Sequence, residues 1–69
     1  METYEEKNIK TFGIKLKEAR KGSGYTQEQL AEKLMVSRQA VAKWEADKGM
    51  PDIETLKLLS KALDVSIIL

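Results

Sequence analysis

Residues 27–46, QEQLAEKLMVSRQAVAKWEA, decide the fold of this chain. Apolar residues in an amphipathic helix recur three or four positions apart. This period holds over residues 30–34, fails at residues 35–36 and resumes over residues 41–44. Two short helices joined by a tight turn explain the interruption, with the small Ala31 where the second helix crosses the first. The stretch therefore predicts a helix-turn-helix.

The composition indicates one small domain that lacks the usual chemistry of an enzyme. The 69 residues include no Cys and no His, which excludes disulfides, thiol catalysis and the commonest zinc ligands. No apolar run approaches the roughly 20 residues that span a membrane. The N-terminus METYEEKNIK is too charged for a secretory signal. We therefore expect a cytoplasmic protein with no membrane contact, no metal, no cofactor and no catalytic site.

The charge distribution gives only a mild indication of a polyanionic partner. The net charge is +1, from 12 basic and 11 acidic residues. Residues 20–50 hold six basic and four acidic side chains, an excess of +2, and so contain the positive excess. An excess of this size by itself is typical of an ordinary solvated surface.

Local signals divide the rest of the chain into a polar tail, residues 1–8, and further helices. A first helix is predicted from Ile9 to about Lys21, where a Gly-Ser-Gly run ends it. Gly13 within it is either a point of close packing or an exposed weak spot. Thr26, with Gln29 three residues later, predicts a capping box at the start of the second helix.

The third and later helices are predicted in the same way. Ser37 is the expected N-cap of a third helix that runs from Arg38 to Ala46. A fourth helix follows Pro51 and is marked by Ile53, Leu56, Leu59 and Leu63. A fifth begins after its expected cap, Ser66.

These stretches together resemble a known family of regulators. From Phe12 to Leu69 the chain is similar to the XRE family, the lambda repressor and Cro type of helix-turn-helix proteins. The matching stretches are LKEARKGSGYTQEQLAEKL, VSRQAVAKWEADKGMPDIETL and LSKALDVS. The resemblance implies a compact, all-α, five-helix domain over residues 9–69, with its third helix in the major groove of DNA.

The third helix has one face suited to reading bases. Val41 and Trp44 define its inward side, so Gln39, Ala42, Lys43 and Ala46 face outward, with Arg38 at the N-terminal tip. Arg can pair with guanine and Gln with adenine in the major groove. We expect base contacts from Arg38, Gln39 and Lys43, the alternative being a plain solvated helix face. Trp44 is expected in the core, not stacked on a base.

Further positions take expected roles from the resemblance. In the family the position of Gln27, at the start of the second helix, contacts a phosphate. Thr26, Ser37 and Lys48 are expected to make further phosphate contacts. Arg20 and Glu45 match a pair that joins the first and third helices as an ion pair in some members. Val41, Trp44, Leu30 and Ala31 complete the expected structural set.

One position departs from the usual pattern. Met35 stands in the turn where helix-turn-helix units commonly have Gly, because the backbone there often has a positive φ. A non-Gly residue in that region costs on the order of 1 kcal/mol.

The sequence favours a sequence-specific DNA-binding domain of a transcriptional regulator, with the resemblance to the lambda repressor type indicating a repressor and the residues themselves leaving repression and activation open. Its expected partner is double-stranded DNA with a pseudo-palindromic operator, and a homodimer is compatible with such a site. The alternative within the same fold is an antitoxin or bridging cofactor that acts mainly through a protein partner. An acyl-carrier-like bundle is disfavoured because Asp64-Val65-Ser66 lacks the Asp-Ser-Leu order and the acidic surroundings.

Overall fold

The computed structural model describes residues 10–65, which form four α-helices and no β-strand. The helices are α1 (Phe12–Gly22), α2 (Gln27–Leu34), α3 (Arg38–Glu45) and α4 (Ile53–Leu63). The predicted all-α class and the helix-turn-helix at α2 and α3 are confirmed. The predicted tail at residues 1–8 and the predicted fifth helix after Ser66 lie outside the described residues.

Each helix begins with a polar side chain that accepts a hydrogen bond from a backbone amide. The four N-caps are Thr11, Thr26, Ser37 and Asp52. The predicted capping box of Thr26 and Gln29 is present, and so is the predicted cap at Ser37. The expected start of the first helix at Ile9 is wrong, because Thr11 caps the helix and Phe12 is its first residue. Hydrogen bonds from Thr55 lower the pKa of the Asp52 carboxyl below its ordinary value.

The four described helices also share one way of ending. A residue with positive φ follows each helix, and the next residue donates its N–H to a carbonyl five positions earlier. The positive-φ residues are Gly24 (82°), Met35 (61°), Asp47 (59°) and Asp64 (55°). The closing bonds are Tyr25 to Arg20, Val36 to Ala31, Lys48 to Lys43 and Val65 to Ser60, at 2.9–3.2 Å. Three of the four turns therefore place a side chain where glycine is the least strained residue.

The Met35 turn gives a prediction about stability. Met35 has φ 61° and is 91% exposed, so its side chain contributes little packing to offset the left-handed backbone. We expect Met35→Gly to leave the free energy of unfolding unchanged or to raise it by up to about 1 kcal/mol. Urea unfolding followed by circular dichroism measures the change.

The matched control for Met35→Gly is Lys17→Gly, at an exposed position inside α1. The control should lose about 1 kcal/mol, as glycine does in a helix interior. A similar loss in Met35→Gly would show that the Met35 side chain stabilises the fold.

The core is formed by residues from all four helices. The buried apolar residues are Leu16 from α1, Leu30, Ala31 and Leu34 from α2, Val41 and Trp44 from α3, and Leu56, Leu59 and Leu63 from α4. Half-buried side chains, Tyr25 and Val36 among them, pack against this cluster. α3 packs against both α1 and α2, while α2 also contacts α4. Ile53, although predicted with the apolar positions of α4, is 62% exposed.

Gly13 is a point of close packing between α1 and the end of α3. A Cβ atom at this position would lie 2.6 Å from the carbonyl oxygen of Glu45 and 2.7 Å from that of Trp44. Neither backbone oxygen can move without moving α3. The absence of a side chain at Gly13 therefore sets the distance between these two helices.

Candidate nucleic-acid interface

α3 is held by its inward face and presents its other face to solvent. Val41 is fully buried and Trp44 is 8% exposed, so both fix the rotation of the helix about its axis. Arg38, Gln39 and Lys43 are exposed, and Ala42 between them is half-buried. The three side chains predicted to contact bases are therefore exposed on a helix whose inward face is packed in the core.

A first surface depression, here called the Arg38 cleft, lies between the starts of α2 and α3. It is lined by Arg20, Tyr25, Thr26, Gln27, Glu28 and Arg38. The Arg38 guanidinium donates a hydrogen bond to Gln27 Oε1 at 3.3 Å. This contact joins the first residue of α2 to the first residue of α3. The cleft brings together three of the predicted DNA-contacting residues, Arg38, Gln27 and Thr26.

Gln27 has a role that the sequence did not indicate. Its Nε2 donates to Glu45 Oε1 at 3.0 Å, while its Oε1 accepts from Arg38. A carboxylate only accepts hydrogen bonds, so the Gln27 amide nitrogen must face Glu45 and its oxygen must face Arg38. Gln27 therefore orients Arg38 in the free protein, and its expected phosphate contact stays a prediction.

Beneath this cleft lies an ion pair between α1 and α3. Arg20 Nε donates to Glu45 Oε2 at 2.6 Å, and the two side chains are only 9% and 4% exposed. The same guanidinium donates a second bond to Glu45 at 3.2 Å and one to the Tyr25 carbonyl at 2.8 Å. The bidentate geometry and the third bond satisfy a charge that would otherwise be costly to bury.

A second depression, here called the Lys43 cleft, lies along α3 and the loop that follows it. It is lined by Ser37, Gln39, Ala40, Lys43, Trp44, Lys48, Gly49 and Met50. The lining contains two lysines and no acidic side chain among the described residues. It therefore brings together the other predicted contacts, namely Gln39 and Lys43 for bases and Ser37 and Lys48 for phosphates.

Asp47 is a residue near this surface to which the sequence analysis gave no role. Its carboxylate accepts a hydrogen bond from the Gly13 amide at 2.9 Å and one from the Thr11 hydroxyl at 2.6 Å. Its position in an Asp-Lys-Gly loop predicts a turn but not these partners, which lie at least 34 residues away in sequence. Asp47 thus joins the loop after α3 to the start of α1.

The chemistry available on this surface is that of binding. Guanidinium, ammonium, amide and hydroxyl groups at the two clefts are hydrogen-bond donors suited to phosphate and to base edges. Within residues 10–65 no cluster of acidic side chains has the arrangement of a metal site. Over the same residues, no helix is both long and apolar enough to cross a bilayer.

Comparison with known proteins decides the family. A family model described as a helix-turn-helix matches residues 16–69, most of the chain. This chain belongs to the XRE-type helix-turn-helix family. The match includes all of α2, α3 and α4, and thus both clefts described above.

Curated XRE-type relatives are transcriptional regulators by name. The chain is 54% identical over 56 residues to the HTH-type transcriptional activator BcrR of Enterococcus faecalis, covering 81% of this chain and 28% of that protein. It is 43% identical over 56 residues to the HTH-type transcriptional regulator ImmR of Bacillus subtilis, covering 81% of this chain and 44% of that protein. The chain thus spans between about a quarter and a half of the length of these relatives.

A solved XRE-type structure has the same fold. It is the crystal structure of SinR, the master regulator for biofilm formation, in complex with DNA. The superposition has a TM-score of 0.75 with 34% sequence identity, and it covers 84% of this chain and 94% of that chain.

Proposed function

We propose that this domain binds double-stranded DNA sequence-specifically, as the DNA-binding part of a transcriptional regulator. The proposal rests on one observation, namely that α3 is buried on one side and exposes its polar side chains to solvent. Its inward face is buried through Val41 and Trp44, while Gln39 and Lys43 are exposed on the outward side and Arg38 is exposed on the flank, at the N-terminal tip. A rigid helix with exposed donors on one face suits insertion into the major groove, where base edges are read. The names of the relatives and the DNA complex of SinR support the same function.

The proposed roles within the interface follow from side-chain chemistry. Arg38 pairs with guanine O6 and N7, and Gln39 with adenine N6 and N7, while Lys43 donates to acceptors further along the groove. Thr26, Gln27, Ser37 and Lys48 contact phosphates on either side. Such contacts fix the register of the protein on the duplex without reading sequence.

We propose that the functional complex is a homodimer on a pseudo-palindromic operator. In helix-turn-helix proteins two half-sites lie about one helical turn apart, so the symmetry of the site reflects that of the protein.

We assign no catalytic activity to the domain, since the curated relatives are named as regulators and the chemistry of both clefts is that of binding.

The proposed function predicts two different responses to substitution. Selection from a random duplex library should yield a preferred site. Arg38→Ala or Gln39→Ala should cost about 1–3 kcal/mol on that site and relax the preference at one or two base positions. Lys48→Ala should weaken binding to all sequences alike and reduce the slope of log K against log salt by about one unit.

Lys57→Ala provides the matched control, because Lys57 is exposed on α4 and lines neither cleft. It should leave the selected site unchanged and should change the overall affinity and the salt slope far less than Lys48→Ala. An unchanged motif after both Arg38→Ala and Gln39→Ala would show that α3 does not read the sequence. Absence of salt-dependent binding to any duplex would contradict the proposed function as a whole.

A further inference from the structure

Asp47 is fixed from two sides, although it is the second residue after α3. Its backbone closes the helix, with φ 59° and the following Lys48 amide donating to Lys43 at 2.9 Å. Its side chain accepts from the Gly13 amide and from the Thr11 hydroxyl at the start of α1. The same hydroxyl also caps α1 by accepting from the Ile14 amide. One carboxylate thus joins the end of α3 to the start of α1.

The contact between Asp47 and the start of α1 requires glycine at position 13. A Cβ atom at Gly13 would lie 2.9 Å from Asp47 Oδ2 as well as too close to two α3 carbonyls. The missing side chain leaves the Gly13 amide open to the carboxylate. Residue 47 is therefore held by contacts that a turn alone would not supply.

The choice of an acidic residue at this position requires a reason. Glycine would close the turn with less backbone strain, since positive φ is unfavourable for a side-chain-bearing residue. A carboxylate next to Lys48 and close to the Lys43 cleft also repels a polyanion. Backbone strain and charge repulsion both disfavour Asp at this position. The two hydrogen bonds from Asp47 to the start of α1 are the favourable contribution that offsets them. The ammonium of Lys48, on its flexible four-carbon stem, samples a volume around the backbone position, so moving the loop moves that volume.

We propose that Asp47 is a positioning residue for DNA binding: it holds the loop after α3 against the start of α1 and so keeps Lys48 beside Lys43. The inference rests on the proposed function, because it assigns Lys48 a phosphate. Asp47 itself makes no contact with DNA. Its effect is exerted through Lys48 alone.

The test is a double-mutant comparison of salt slopes on the selected duplex. Binding of the wild type, Lys48→Ala, Asp47→Gly and the double variant is measured by fluorescence anisotropy over a series of salt concentrations. Lys48→Ala should lower the slope by about one unit in the wild type. In the Asp47→Gly background Lys48→Ala should lower the slope by less than about half a unit, because the loop that carries Lys48 is no longer held against the start of α1.

Two further variants separate positioning from charge. Asp47→Asn removes the charge, tolerates positive φ and keeps groups able to bond Gly13 and Thr11, so the full effect of Lys48→Ala should remain. Thr11→Val removes the hydroxyl and leaves Asp47 charged, so the effect of Lys48→Ala should shrink. Thr11→Val also provides the disrupting variant if Asp47→Gly does not fold. Hydrogen exchange of the Gly13 amide should be faster in Asp47→Gly and unchanged in Asp47→Asn.

The outcomes are distinguishable. Equal effects of Lys48→Ala in the wild type and in the folded disrupting variants would overturn the positioning role while leaving DNA binding intact. If Asp47→Gly and Asp47→Asn both tighten binding equally and leave the effect of Lys48→Ala unchanged, Asp47 acts only as a repulsive charge. A wild type that binds DNA but shows no effect of Lys48→Ala also overturns the inference. A wild type that binds no duplex would refute the proposed function first, and this inference with it.

Discussion

Trp44→Ala is expected to lower the free energy of unfolding by about 3–5 kcal/mol, the usual cost of removing a large aromatic side chain from a core. Trp44 is 8% exposed and belongs to the cluster that joins all four helices. Native proteins have total stabilities of about 5–15 kcal/mol, so a loss of this size is a large part of the stability of a small domain. Thermal unfolding followed by far-ultraviolet circular dichroism measures the change.

Two further measurements test this expectation. Trp44 is the single tryptophan of the chain, so the emission of the native wild type reports its environment directly and should be that of a buried indole. Met50→Ala is the control, since Met50 is 61% exposed and its truncation should change stability by no more than about 0.5 kcal/mol. A native emission spectrum typical of an indole in water would be incompatible with the core assignment.

The second large effect is expected from breaking the ion pair between α1 and α3. Glu45→Ala leaves the Arg20 guanidinium buried, with the Tyr25 carbonyl as its one remaining described partner. Removing one member of a buried pair typically costs about 3–5 kcal/mol, because the other charge is left uncompensated. The free energy of unfolding from urea denaturation gives the value.

The double variant Arg20→Met with Glu45→Leu separates the net contribution of the ion pair to stability from the cost of leaving one buried charge unpaired. Replacing both charges by apolar side chains of similar volume should recover most of the stability lost in Glu45→Ala. If Glu45→Ala loses less than about 1 kcal/mol, the pair is solvated in solution and does not join the helices as described. If the double variant is as unstable as Glu45→Ala, the loss arises from packing and not from the unpaired charge.

Features encoded within one turn of helix were predictable from the sequence. The caps at Thr26 and Ser37 depend on a side chain reaching an amide three residues later. The turn at Met35 follows from the interruption of the apolar period, and its left-handed backbone from the usual preference of that position. The outward placement of Gln39 and Lys43 follows from helical geometry once Val41 and Trp44 face inward. The caps, the turn and the outward faces were predicted correctly because local spacing determines them, and the left-handed backbone of Met35 because helix-turn-helix units share that turn.

The tertiary structure decided what depends on residues far apart in sequence. Gly13 could have been exposed or closely packed, and the carbonyls of Trp44 and Glu45 made it a contact point. Asp47 carried no signal of its own, because its partners lie at the start of α1.

The same holds for the orientation of side chains within the interface. The phosphate contact of Gln27 stays a prediction, but the sequence did not indicate that its amide nitrogen donates to Glu45 and that its amide oxygen accepts from Arg38. Spacing along one helix fixes which face a side chain occupies. Which hydrogen-bond partner that side chain contacts is decided by the packing of one helix against another, because the partner comes from a different part of the chain.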